Sequence, residues 1–111
     1  MTHTDVIAGA TALSDTIGTT THRRTFQHAV NDFVGVLVSV LDYPAAEFSI
    51  DEIGLLRRLS EGVIERIELR LNTPGDSTNV QVVLVEAVYE IRRRLELIDE
   101  WRRHSLGIPL A

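Results

Sequence analysis

From about Thr78 to Ser105 the chain keeps one apolar stripe in phase: Val80, Val83, Leu84, Ala87, Val88, Ile91, Leu95, Ile98 and Trp101. Residues three and four apart share a helix face, so the stripe predicts a single helix of roughly 28 residues and about 40 Å. Its start falls at Asp76, Ser77 or Thr78, and Gly107 and Pro109 supply the stop. Valine is frequent between Asn79 and Val85, which favours extended backbone, but the stripe continues through Ile98 and decides for helix.

Two proline-bearing breaks, Tyr43-Pro44 and Asn72-Thr73-Pro74-Gly75-Asp76, set two further helical segments before this one. The first runs from about Thr21 to Asp42, with one of Thr19, Thr20 or Thr21 as its cap. Its apolar arc holds Phe26, Ala29, Val30, Phe33, Val34, Val36, Leu37, Val40 and Leu41 and covers about half the circumference, which places this helix at the centre of the assembly. Arg23 and Arg24 stand at its start against the helix dipole, which implies an acidic partner. The second opens with Ser49-Ile50-Asp51-Glu52, a capping box, and buries Ile53, Leu56, Leu59, Val63, Ile64, Ile67 and Leu71 before ending near Asn72.

Ahead of these, Asp5 to Ile17 allows a short helix with Thr4 as cap and Gly18 as stop, although its threonines and glycines make it weak. The expected fold is therefore all-α: an antiparallel bundle of three long helices with a short or mobile N-terminal helix. Residues 1–18 are expected as a flexible or weakly helical arm and residues 19–111 as one domain.

The long third helix carries a second apolar stripe, Val82, Val85 and Tyr89, away from the first. A three-helix bundle buries one face per helix, so this stripe needs another cover. A homodimer, in which the stripe meets its own copy, is the expected answer. The alternatives are a foreign protein, or the N-terminal segment folding back over the stripe. Arg94 and Arg102 flank the main arc, where a guanidinium must snorkel or find a carboxylate, and Trp101 shares that edge as an anchor. The expected interface set is thus Val82, Val85, Tyr89, Arg94, Trp101 and Arg102.

Composition removes several chemistries. All 11 basic residues are arginine, so no lysine can form a Schiff base or bind phosphate in a P-loop. Cysteine is absent, which excludes disulfides, thiolate nucleophiles and sulfur-ligated metals. The 16 acidic residues leave a net charge of -5, a balance that disfavours nucleic acid and anionic lipid. Phe33 to Leu41 is the longest apolar run and reaches only about half of the ~20 residues a membrane span needs. With no positively charged leader in the first 18 residues, a cytoplasmic location is expected.

Three constellations carry candidate chemistry. His28 and Asp32, four apart on the polar side of the first helix, are the candidate metal ligands, but no Glu-x-x-His pair stands beside them and a solvated face accounts for them. Glu61, Glu65 and Glu68, with Arg57 four before Glu61, form a carboxylate row that reads as an exposed ion-pair ladder. Arg92, Arg93, Arg94, Arg102 and Arg103 are interleaved with acids, and pairs such as Glu90-Arg94 and Asp99-Arg103 neutralise them within the helix. No Gly-x-Ser-x-Gly elbow or glycine-rich phosphate loop occurs.

These readings lead to a small cytoplasmic protein-interaction module, not an enzyme, with no cofactor: an adaptor, assembly chaperone or structural subunit acting through an apolar helix face. The alternative is a ligand-binding helical regulator whose pocket opens between the first and third helices, lined by Phe26, Phe33, Val82 and Tyr89.

Overall fold

The computed structural model describes residues 2–73, 75 and 77–105, the side chain of residue 105 excepted. Among them are four helices and no strand: α1 His3–Thr19, α2 Arg23–Val40, α3 Ile50–Leu71 and α4 Thr78–Ser105, with one 3-10 turn at Ala45–Glu47. The proposed stop at Gly107 and Pro109 lies outside the described residues, as do Pro74 and Asp76 of the second break.

α3 begins where its capping box predicts. The Glu52 amide donates to the Ser49 hydroxyl at 3.1 Å, and the Ser49 amide donates to Glu52 Oε1 at 2.9 Å. Ser49→Ala should lower stability by about 1 kcal/mol, read as a fall in the thermal midpoint. An unchanged midpoint would contradict this boundary. The Ser49 amide also holds the Glu52 carboxyl below its usual pKa of 4.5, against an opposing effect of burial; the Ser49 hydroxyl and His3, whose Nε2 lies 3.4 Å away, add to the lowering. A lowered folded-state pKa stabilises above pH 4.5 and is lost as pH falls through the lowered value. Wild type should therefore lose stability below pH 4.5 more steeply than Glu52→Gln, in denaturation series across that range.

The valine-rich start of α4 is helical. The Ser77 hydroxyl accepts from the Val80 amide at 3.3 Å, and Leu84, Ala87, Val88, Ile91, Leu95 and Ile98 are buried at helical spacing. α2 starts at Arg23 after His22, which makes no side-chain cap; Thr20 instead accepts from the His22 amide at 3.2 Å, so the expected threonine cap becomes a turn contact.

The expected short N-terminal helix is α1, a 17-residue element that starts after Thr2 rather than Thr4. The Thr2 amide donates to Asp5 Oδ2 at 2.9 Å. Thr11, Thr16 and Thr19 each donate to a carbonyl four residues back, so their hydroxyls are satisfied within the helix. Val6, Ala10 and Ile17 are buried, with Ile7 and Leu13 packed at the edge of the core.

α1 packs against α2 and α3, and α4 packs against the same two helices and the 3-10 turn. α1 and α4 thus take opposite corners, and the central position expected for α2 is shared with α3. His3 beside Glu52 sets the start of α1 next to the start of α3, and Trp101 beside Phe48 brings the end of α4 to the same end of the molecule. Phe33, Leu37, Ile67 and Ile91, fully buried, belong to one core formed by α2, α3 and α4 together with α1. Val34, Val36 and Leu41 are half-buried and Val38 is exposed, so the apolar arc of α2 is only partly covered.

Charged pairs tie α3 to α4: Arg57 with Asp99, and Arg92 with Glu68 at 3.5 Å. Arg57 and Asp99 were expected to pair within their own helices; the side-by-side packing of α3 and α4 offers each a nearer partner. At the α3–α4 turn Gly75 has φ +123°, and a Cβ there would stand 2.6 Å from the Arg23 guanidinium. The backbone conformation favours glycine, whereas the Arg23 guanidinium, the far end of a flexible side chain, can move aside.

Candidate interaction face on the last helix

α4 turns one side to the core and the other away from the protein. Counting about 100° per residue from Ile91, the side chains of Val82, Val85 and Tyr89 lie about 120–180° round from the buried stripe. They are 50%, 55% and 64% exposed. α1, the one segment of the chain proposed as a cover, lies on the far corner. The three residues span about two turns, and the core is closed without them.

Below this patch the same side of α4 has a groove lined by Tyr89, Arg92, Arg93, Glu96, Leu97 and Glu100. Leu97 also lines an adjoining apolar groove with Leu41, Glu100, Trp101 and His104. The surface runs from valines and tyrosine in the first half of α4 to a channel floored by leucine in the second.

The other three residues of the expected interface stand apart from the first three. Arg94 is half-buried, with its Nε 3.5 Å from Glu90. Arg102 is half-buried too, and the Nε atoms of both arginines are shielded from solvent without a hydrogen bond. Trp101 packs edge-on to Phe48 at 6.1 Å and lines the groove with Leu41. The helix azimuth separates these three from Val82, Val85 and Tyr89.

The four residues proposed to line a ligand pocket are not brought together. Phe26 and Phe33 are in the core, whereas Val82 and Tyr89 point outward. His28 and Asp32 are exposed on α2, and among the described residues no three His, Asp or Glu side chains cluster as metal ligands. Glu61, Glu65 and Glu68 are exposed on α3. Comparison of the chain with family models, curated proteins and solved structures finds no match.

Two features escape sequence reasoning because they are assembled from distant segments. At one end Arg23, Arg66 and Arg70 line a cleft with Gly18, Thr20, Thr21, Phe26 and Thr73, with Arg70 5.0 Å above the Phe26 ring. The last turn of α1 carries no basic residue of its own, and Arg66 lies beside Gly18 there, while Arg70 stands in the last turn of α3, where a cation suits the helix dipole. The sole advance signal was Arg23 at the head of α2. At the other end the Phe48 ring meets His3, Tyr43 and Trp101 edge-on, at 5.4, 6.1 and 6.1 Å.

Proposed function

We propose that this protein is a small protein-interaction module of the cytoplasm, an adaptor, assembly chaperone or structural subunit, that docks a partner on the outer side of α4. The observation that supports this reading is the exposure of Val82, Val85 and Tyr89 on one helix side that the other described residues leave uncovered. Tyrosine is enriched at interface centres, where a large rigid ring contributes contact area at low entropic cost. Burying the three would return roughly 25 cal/mol for each Å² of apolar area withdrawn from water.

The test is a comparison of captured proteins from the source cell on immobilised wild type and Val85→Glu. Glutamate at this exposed position suits a helix, so the variant keeps its fold, while a desolvated carboxylate opposes docking. Specific capture by wild type that Val85→Glu abolishes supports the reading. Identical capture by both, with circular dichroism showing both folded, would refute it.

A further inference from the structure

We infer that the occupant of this face is a second copy of the chain, laid antiparallel along α4 with the two-fold axis beside Tyr89. This rests on the reading above and adds the partner and its register.

Charge order along the outer side of α4 carries the inference. Glu86 lies before Tyr89 and Arg93 after it, both exposed. Neither has an ion-pair or hydrogen-bond partner among the described residues, whereas Glu90, Arg92, Arg94 and Asp99 on the same helix are paired. Reversing α4 about the midpoint between Tyr89 and Glu90 sets Glu86 opposite the partner's Arg93. The same reversal sets Val82 opposite the partner's Leu97, the floor of the groove that Tyr89 and Arg93 also line.

A two-fold axis duplicates each contact. Two Glu86–Arg93 pairs flank a central pair of Tyr89 rings, and each Val82 enters the other subunit's groove. A parallel alignment in register sets Glu86 against Glu86 and Arg93 against Arg93, a like-charge arrangement that disfavours it. A surface whose charge order is complementary to its own reversed copy fits a second copy of this chain better than a foreign protein.

The test is sedimentation of the full chain over a concentration series, with circular dichroism on every variant. Wild type is expected to dimerise, and Val85→Glu to run as a folded monomer. Glu86→Arg or Arg93→Glu alone should weaken the dimer about tenfold or more, since each reversal creates two like-charge contacts. The double variant Glu86→Arg/Arg93→Glu should restore it.

A wild type that stays monomeric at every concentration overturns the inference while leaving the docking reading intact if Val85→Glu still abolishes capture of other proteins. A dimer indifferent to Val85→Glu overturns the inference and also counts against the face itself. A dimer that Val85→Glu breaks but the double variant fails to restore overturns the antiparallel register.

Discussion

A chain lacking residues 2–20 is expected to lose cooperative folding. α1 buries Val6, Ala10 and Ile17 and packs Ile7 and Leu13 against the same core. Each fully buried valine or isoleucine contributes roughly 1.5–3 kcal/mol, so removing the helix withdraws on the order of 5 kcal/mol or more. It also opens the faces of α2 and α3 that α1 covers. Typical domain stabilities are about 5–15 kcal/mol, so the loss consumes most or all of the margin. The measurement is a thermal or urea melt followed by circular dichroism. A steep, reversible transition in residues 21–111 would instead make the first helix an appendage and support a domain that begins near residue 19.

Phe48→Ala carries the second largest expected effect. Phe48 is 2% exposed and its ring touches the start of α1 through His3, the α2–α3 link through Tyr43 and the end of α4 through Trp101. Truncating a buried phenylalanine costs about 3–5 kcal/mol through lost transfer energy and the cavity left behind. Three edge-to-face contacts disappear with it. Urea denaturation gives the energy. The emission of Trp101, the one tryptophan in the chain, gives the location, with a red shift expected as water reaches the indole. A loss below about 1 kcal/mol with unchanged emission would mean that this ring does not hold the three segments together.

The elements legible in the sequence are those specified locally. Ser49 and Glu52 sit three residues apart and need nothing else to start α3. The α4 stripe repeats often enough that helical phase outweighs the valines. α1 is less legible for the opposite reason: Thr11, Thr16 and Thr19 lower propensity, while Val6, Ala10, Leu13 and Ile17 recur at helical spacing and dock. Tertiary burial outweighs propensity there. On the candidate face, Val82, Val85 and Tyr89 were legible because apolar residues opposite a buried stripe have nowhere to hide within their own helix. Arg94, Trp101 and Arg102 share an apolar neighbourhood in the sequence, and the angle around α4 separates them from Val82, Val85 and Tyr89. The pairing of Arg57 with Asp99 joins residues on different helices, and nothing in local sequence specifies it.

The corner-to-corner placement of α1 and α4 separates two kinds of selective pressure. Substitutions among the side chains that point inward change whether the polypeptide persists in a cell. Positions 82, 85, 86, 89 and 93 carry exposed side chains, and substitutions there leave the inward set untouched. The character of that outer surface can therefore drift at a few sites without passing through an unfolded ancestor.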